Sequence, residues 1–263
     1  LKCVECHSQK TFLRRLNAGL ECPKCGSVFQ QKNGIFDLTA QHDHAGQTLA
    51  VRTMRIAFVA RAYEEVFRPT MMGLIWGKSQ EEERALVKSK LKHSSYKYIL
   101  DLGCGTGFYS RLLAKMYPAA IIYALDVSLP MLEEAKLQAK KEAITNIVFI
   151  KANGENLPFR PRTFELIVCA MALHFFRNPL SVLEDMYSVG ALRSEYLIIT
   201  TKVAEGPWEQ LLQIGVGGLL ELRSFSPLEL GEAMAQIGFK RISRVDLKRG
   251  QLLFAVKHAR LKK

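Results

Sequence analysis

The feature that most constrains the fold of this chain is a regular alternation of short apolar runs and longer amphipathic segments, which begins near residue 97. Short apolar runs predict buried strands, and apolar positions three and four residues apart predict helices. The predicted strands cover residues 98–102, 121–126, 147–151, 164–170 and 196–201, and the predicted helices cover residues 106–117, 129–141 and 179–187. This alternation is typical of an α/β fold, in which right-handed crossovers build a parallel sheet with helices on both faces. Two further strands, 239–247 and 251–258, are expected to form a closing hairpin.

A glycine-rich segment, DLGCGTG at 101–107, joins the first predicted strand to the first predicted helix. Glycines allow the backbone to approach a ligand closely, and the N–H groups at the start of the helix face an anion. Asp126 ends the second predicted strand, where a carboxylate can accept hydrogen bonds from both hydroxyls of a ribose. Both features fit an adenosine-containing cofactor. The nicotinamide fingerprint would need a glycine at position 108, where Phe108 stands.

Four of the six cysteines lie in the first forty residues, as two pairs with the spacing of a zinc ribbon: Cys3, Cys6, Cys22 and Cys25. Four thiolates in this pattern predict a tetrahedral Zn²⁺ site. Because all four positions are taken by protein ligands, the site is expected to be structural and to form part of the folding energy of the segment. The alternative is two disulfides, which suit a secreted protein.

The net charge of +12 is unevenly distributed. Residues 99–200 carry ten basic and ten acidic side chains, so the excess lies in the segments on either side. Basic flanks of this kind can attract RNA, an anionic metabolite or an acidic partner protein. No apolar stretch approaches the roughly 18 residues of a membrane span, and we expect a cytoplasmic protein, or an organellar one if a targeting peptide was removed. The sequence carries no signal for an oligomeric state.

Four segments, in order, resemble the motifs of class I S-adenosylmethionine-dependent methyltransferases. They are ILDLGCGTGFYSRLLA, ALDVSLPMLEEA, NGENLPFRPRTFELIVCAMALHFF and FSPLELGEAMAQIGF. The resemblance covers about residues 95–258 and is strongest to ubiquinone- and menaquinone-type small-molecule methyltransferases. The N-terminal zinc ribbon is similar to that of 23S rRNA guanine-N1 methyltransferases. The resemblance implies a Rossmann-like sheet of seven strands, the last of them antiparallel, preceded by the small ribbon.

The resemblance also implies a set of residues that bind S-adenosylmethionine. Those expected around its methionine part are Asp101, Gly103, Gly105 and Gly107, and Cys104 and Ala170 are further expected cofactor contacts. Asp126 is expected to bind the ribose, Val127 and Met131 to pack near the adenine, and Asn153, Gly154 and Glu155 to border the base. Asn153 departs from the family, which has an aspartate there, but its carbonyl can still accept a hydrogen bond from the adenine amine.

A proton acceptor for the reaction is expected just beyond the fourth predicted strand, at His174, which is the candidate catalytic residue. The alternative is a packing role beside two phenylalanines. The candidate substrate contacts are Tyr63, Met171, His174 and Trp208. Tyr63 lies in a segment expected to cover the site, and Trp208 in an apolar insertion at 203–225 that fits either a substrate lid or simple core packing.

The predicted organisation is a zinc ribbon at 1–40, a linker with covering helices at 41–94, and a methyltransferase domain at 95–263. The apolar insertion favours a small apolar or aromatic methyl acceptor. The ribbon and basic flanks fit an alternative, N-methylation of an rRNA or tRNA base. A second alternative is a cofactor-binding partner subunit without catalytic activity.

Overall fold

The computed structural model describes residues 1–6, 12–40, 52, 56–64, 68–70, 73, 77, 79–91, 93, 95–208, 210, 211, 215, 218 and 223–258. Residues 41–50, at the start of the segment predicted to hold the linker and covering helices (41–94), lie outside the described residues, as do Met54 and Val66 of the same segment.

The central part of the chain forms the predicted α/β sheet. Its strands are β5 (Tyr98–Leu102), β6 (Ile121–Asp126), β7 (Ile147–Lys151), β8 (Phe164–Ala170), β9 (Gly190–Thr201), β10 (Phe239–Asp246) and β11 (Gly250–Lys257). Their order is β7-β6-β5-β8-β9-β11-β10. The pairs from β7 to β9 are parallel, and β11 is antiparallel to both of its neighbours. The order reverses beside β5, so the carboxyl ends of β5 and β8 border a crevice where ligands bind in such sheets.

Four shorter strands precede this sheet. They are β1 (Arg14–Leu16), β2 (Gly19–Glu21), β3 (Val28–Lys32) and β4 (Ile35–Asp37). They form an antiparallel meander, and β4 then pairs in parallel with β7. The Lys151 ammonium, at the end of β7, also contacts the Asp37 carboxylate at 2.8 Å.

The expectation of a seven-stranded sheet is therefore wrong for the sheet as a whole, which has eleven strands within the described part of the chain. An edge strand such as β7 leaves a row of backbone N–H and C=O groups without partners. Because β4 satisfies them, the ribbon continues the sheet rather than forming a separate unit beside it. The seven strands expected from the resemblance are present as its central and C-terminal part, with β11 antiparallel.

The described helices are α1 (Ala57–Ala62), α2 (Gln80–Lys90), α3 (Phe108–Met116), α4 (Leu129–Lys141), α5 (Pro179–Val189) and α6 (Pro227–Ile237). Ser79 and Glu82 form a capping box at the start of α2, which satisfies backbone N–H groups of its first turn. Gly107 begins α3 in a left-handed conformation, with φ of 78°.

Apolar side chains alternate between the two faces of the sheet. On one face Ile99 and Val168 pack with residues of α2 and α3. On the other, Leu100 and Ile198 share a cluster with residues of α5 and α6 and with buried residues of the ribbon. Both faces are thus covered, and the carboxyl-end crevice is left as the place for a ligand. Within the described residues, no helix is long and apolar enough to cross a membrane.

Candidate functional site

The glycine loop after β5 forms the floor of the site. Gly103, Gly105 and Gly107 all have positive φ, which favours residues without a side chain. A Cβ on Gly103 would lie 2.3 Å from the Cβ of Ala172, so this glycine allows the loop after β8 to come close. A Cβ on Gly105 would meet nothing within 4 Å among the described residues, so its backbone borders open space there. The loop therefore offers exposed backbone to a ligand.

Asp126, at the end of β6, organises this loop. Its Oδ2 accepts a hydrogen bond from the N–H of Gly105 and its Oδ1 accepts one from the N–H of Ser128, both at 2.8 Å. Burial raises the pKa of Asp126, and these backbone donors oppose the rise. The residue stays half-buried, so lone pairs remain for a hydroxyl ligand.

Asp101, at the carboxyl end of β5, lies beneath the loop and is almost completely buried. Burial raises its pKa to about 7, and the nearby charge of Asp126 adds to the rise, whereas the hydrogen bond from the Ser110 hydroxyl lowers it. The structure thus places Asp101 behind the loop.

The segment before the α/β sheet is tied to the loop by Glu64, which follows α1. The carboxylate of Glu64 accepts hydrogen bonds from the hydroxyl of Thr106 and, at 2.5 Å, from the Nη2 group of Arg111. Arg111 also donates to the Thr106 carbonyl and to Glu142 at the end of α4. This network holds the segment that contains α1 and Glu64 against the glycine loop. Sequence analysis missed it because an ion pair across 47 residues leaves no local pattern.

Tyr63, a predicted substrate contact, is half-buried directly after α1. Burial raises the pKa of its hydroxyl, and the charges of Asp126 and Arg68 both act on it. Arg68 itself is buried, with its guanidinium over the ring of Phe108 and an ion pair to Glu83 at 2.6 Å.

The residues expected near the base lie in the turn after β7. The side-chain oxygen of Asn153 accepts a hydrogen bond from the N–H of Glu155 at 3.0 Å, which shapes this turn. Glu155 in turn accepts one from the N–H of Asn178. Gly154 is packed against Phe176, whose ring would lie 2.7 Å from any Cβ. Val127 and the buried Met131 lie on the neighbouring loop and helix, after β6.

The chain leaves β8 in an unusual conformation. Met171, which follows Ala170, has φ of 55°, a left-handed value that costs energy for a residue with a side chain. Its N–H donates to the carbonyl of Ile199 at 2.8 Å, which holds the turn in place. Strained backbone of this kind is common at ligand sites.

His174 lies three residues beyond this turn, in a short 3₁₀ segment (Leu173–Phe175). Only 4% of it is exposed, and burial lowers its pKa to about 4, so the imidazole is neutral near pH 7. Its Nδ1 lies 3.5 Å from the hydroxyl oxygen of Thr200, and its ring packs against Phe175. The side chain thus combines the packing role with a polar contact to the sheet.

The predicted lid is only partly within the described residues, since 209, 212–214, 216, 217 and 219–222 lie outside them. Trp208 is 78% exposed, and Leu211 is also exposed. In this conformation Trp208 therefore lies on the surface rather than against the glycine loop.

The four ribbon cysteines lie together. The Sγ atoms of Cys3 and Cys25 are 3.7 Å apart, as are those of Cys6 and Cys22, and all four lie within 4.8 Å of one another. Four sulfurs at about 2.3 Å from one Zn²⁺ would be about 3.8 Å apart, whereas a disulfide needs about 2.05 Å. The donor set and its spacing fit a tetrahedral zinc ion.

Comparison with known proteins gives three similarities. Residues 99–191 match the family model described as a methyltransferase domain. An uncharacterized chloroplastic methyltransferase of Arabidopsis thaliana is 25% identical over 192 residues, which cover 70% of this chain and 54% of that protein. The demethylmenaquinone methyltransferase of Lactococcus lactis is 32% identical over 120 residues, covering 45% of this chain and 48% of that protein. The matches thus span about half the length of these relatives.

A solved structure agrees with the fold. The crystal structure of an S-adenosylmethionine-dependent methyltransferase from Aquifex aeolicus superposes with a TM-score of 0.57 at 24% identity. The match covers 75% of this chain and 97% of that one. At this identity the similarity concerns the fold alone.

Proposed function

We propose that this chain, whose residues 99–191 form an S-adenosylmethionine-dependent methyltransferase domain, transfers the methyl group to a small apolar or aromatic molecule. The observation that carries the proposal is the pairing of Gly105, which borders open space, with the half-buried carboxylate of Asp126. The open space beside Gly105 lets the backbone approach the methionine part of the cofactor, and the Asp126 carboxylate can accept hydrogen bonds from the ribose hydroxyls. When bound, the cofactor supplies an electrophilic methyl group on a positively charged sulfur.

The residues of the chain then serve to position the reactants. The ion pair between Glu64 and Arg111 holds the segment after α1 against the glycine loop. Alignment of a nucleophile with the methyl group can supply about 7 to 11 kcal/mol of the barrier reduction in favourable cases. His174 is the candidate proton acceptor; burial keeps it neutral near pH 7, and the same lowering of its pKa to about 4 makes it a weak base, so alignment is expected to contribute more than proton transfer.

Two observations support a small acceptor. The site end of β8 is shaped by buried or half-buried apolar side chains, Ala170, Met171 and Leu173. The Lactococcus relative is described as acting on demethylmenaquinone, an apolar ring compound. An RNA base remains the competing acceptor, because the ribbon presents exposed basic side chains such as Arg14 and Arg15.

We also propose that the four ribbon cysteines bind a structural Zn²⁺. The support is the fit of four mutually close thiols to tetrahedral coordination. With four protein ligands the ion has no open position, so it takes no part in methyl transfer.

The test is transfer of labelled methyl from the cofactor into fractionated cell extract, with and without RNase. We expect label in the fraction of small organic molecules, at the same level after RNase treatment. Label that disappears with RNase would identify RNA as the acceptor instead. Cofactor binding without label in any fraction would identify a partner subunit without catalytic activity.

Asp101 makes cofactor affinity depend on pH. Its pKa of about 7 means that it is protonated below pH 7 in the free protein. The unfolded chain releases this proton near the ordinary value of 3.8, so the stability of the fold decreases as the pH rises from there to 7. A cationic ligand favours the ionised carboxylate, so affinity is expected to rise with pH and to fall about tenfold per unit below 7. Titration calorimetry at several pH values between 5.5 and 7.5 measures this dependence of cofactor affinity on pH.

Two variants test the assignment to Asp101. Asp101→Asn should bind more weakly and lose this pH dependence. Ser110→Ala removes the hydroxyl that stabilises the ionised form, so it should move the transition to higher pH. An unchanged pH profile in Asp101→Asn would show that another group titrates.

A further inference from the structure

Four large apolar side chains are exposed around the carboxyl end of β9. They are Val203, Trp208, Leu211 and Leu228, and of these Trp208 and Leu228 are 78% and 68% exposed. The other exposed large apolar residues among the described ones occur singly along the sequence, which is ordinary for a protein surface. A group of them in one place instead marks a site of interaction. We call these four residues the apolar rim.

Hydrogen bonds bring the segments of the apolar rim together. The N–H of Val203 donates to the carbonyl of Phe225 at 3.1 Å, which places the first turn of α6, with Leu228, beside the end of β9. The side chain of Gln210 donates to the carbonyl of Ala204 at 2.8 Å. The helical segment that contains the other two rim residues is thus folded back onto the same strand end. The four side chains therefore belong to one local region of the surface.

The helical segment of the rim presents an exposed face without charge. Trp208 and Leu211 are three residues apart in helical backbone, and Gly215 and Gly218 continue this spacing of three and four residues. All four positions are exposed. A surface helix normally turns charged and polar side chains towards water. The face of this helix therefore indicates contact with an apolar partner.

Two exposed arginines lie beside the apolar rim. The carbonyl of Arg223 accepts a hydrogen bond from the hydroxyl of Thr201, and the carbonyl of Arg249 accepts one from the N–H of Lys202, both at 3.1 Å. Both arginines are thus held at the end of β9. Residues 201–263 carry eleven basic and six acidic side chains. Tryptophan and leucine with basic residues beside them are typical of surfaces that bind the headgroup region of anionic membranes.

The apolar rim borders the candidate site. The N–H of Arg223 donates to the carbonyl of His174 at 3.1 Å, so the segment before α6 contacts the chain just beyond β8. The N–H of Met171 donates to the carbonyl of Ile199, which joins the turn after β8 to the last residues of β9. A molecule held against the rim is therefore next to the carboxyl ends of β8 and β9.

The charge beside the rim favours an anionic bilayer over a second copy of the chain. A symmetric dimer through the rim would bring the arginines of one copy towards those of the other, and like charges repel across an interface. Anionic headgroups instead strengthen binding about fivefold for each basic side chain near them. Of the two described acids beside the rim, Glu205 is paired with Lys202 at 2.8 Å, which leaves Glu229 against two arginines.

We propose that the apolar rim docks on the surface of an anionic lipid bilayer, with Trp208 and Leu211 among the headgroups and Arg223 and Arg249 on lipid phosphates. The substrate class that follows is a methyl acceptor dissolved in the bilayer, and this part rests on the proposed function. The rim lies on the membrane and does not cross it, because side chains of this kind reach only the boundary between headgroups and acyl chains.

Sedimentation with vesicles tests the docking in the absence of cofactor. The full chain is expected to sediment with vesicles of equal parts phosphatidylglycerol and phosphatidylcholine, and to bind about tenfold more weakly to vesicles of phosphatidylcholine alone. Arg223→Gln combined with Arg249→Gln should remove this preference for the anionic vesicles. A protein that stays in solution with both kinds of vesicle would overturn the proposal.

The fluorescence of Trp208 reports its insertion. The sequence has two tryptophans, and Trp76→Phe leaves Trp208 as the single one. Its emission is expected to shift to shorter wavelength on the anionic vesicles and to be quenched by lipids that carry bromine close to the headgroup. A shift that grows with protein concentration without vesicles would identify a second copy as the partner. A shift caused by cofactor and a small apolar molecule alone would identify a closing lid. Either result contradicts docking on a bilayer.

A pair of substitutions at exposed leucines provides the matched control. Trp208→Ser combined with Leu211→Ser should weaken vesicle binding about 100-fold, since two apolar side chains no longer enter the bilayer. Leu137 is also exposed, but it lies on α4, which packs on β6 and β7, away from the end of β9. Leu137→Ser should therefore leave vesicle binding unchanged. Equal losses in the two proteins would show a general effect of surface apolarity and sink the proposal.

The docking and the methyl transfer can fail separately. When the labelled-methyl test is run with vesicles made from the lipids of the cell extract, label is expected in the lipid phase. The protein with serine at positions 208 and 211 should lose this transfer while its cofactor affinity stays the same. Label found only in water-soluble small molecules would overturn the assignment of a membrane-dissolved acceptor. Vesicle binding by a protein that transfers no methyl group would reject the proposed function and leave the docking surface supported.

Discussion

Asp126→Ala is expected to weaken binding of S-adenosylmethionine about 100-fold. The carboxylate accepts hydrogen bonds from the N–H groups of Gly105 and Ser128 and is proposed to accept the ribose hydroxyls. Hydrogen bonds to charged groups contribute about 1.5 to 3 kcal/mol each, and 1.4 kcal/mol corresponds to a factor of ten. Alanine removes the ribose contact and also leaves the glycine loop without its anchor. Titration calorimetry measures the loss.

Asp126→Asn separates the two contributions. Its single carbonyl oxygen can keep one of the backbone hydrogen bonds but carries no charge, so we expect a loss of about tenfold. Thermal unfolding without cofactor shows whether either variant has lost its fold. Unchanged affinity in a folded Asp126→Ala protein would remove Asp126 from the binding site, and with it the main support for the proposed cofactor position.

The sequence predicted those parts of the site that depend on neighbouring residues. The glycine loop and the strand end at Asp126 each follow from a few consecutive residues, and the structure places them as expected. The closing hairpin was also found within about a residue of its predicted bounds. Local geometry of this kind is set by turn conformation and by apolar spacing, which a single sequence displays.

The contacts between distant segments were not predictable. Pairing of β4 with β7 joins residues more than a hundred positions apart, and neither strand carries a mark of its partner. The same holds for Glu64 with Arg111 and for Thr200 with Gln251. For Trp208 the sequence pattern suggested a contact that the structure does not show. The apolar composition of the insertion around it favoured a substrate contact, whereas the structure places its side chain on the surface.

The proposed zinc ribbon is expected to stabilise the whole sheet, because its strands share the core of the α/β domain. Ile35 of β4 packs with Leu132 and Phe149 on one face, and Leu38 packs in the main cluster on the other. Both are almost fully buried. Exposing two such side chains costs about 3 to 6 kcal/mol, and zinc binding is part of the folding energy of a segment of this kind.

Cys22→Ser should therefore abolish zinc binding and lower the Tm of the entire chain by about 10 °C, at 2 to 4 °C per kcal/mol for a domain of this size. Cys22 is buried, so its replacement also disturbs packing, whereas Cys25 is exposed. Cys25→Ser is thus the matched variant, in which a comparable loss of Tm reports the metal alone. Metal analysis and calorimetry of both variants measure the effect. If Cys25→Ser loses its zinc and keeps the wild-type Tm, the ion does not hold β4 against β7, and the sheet is stabilised by its apolar contacts and the ion pair between Asp37 and Lys151.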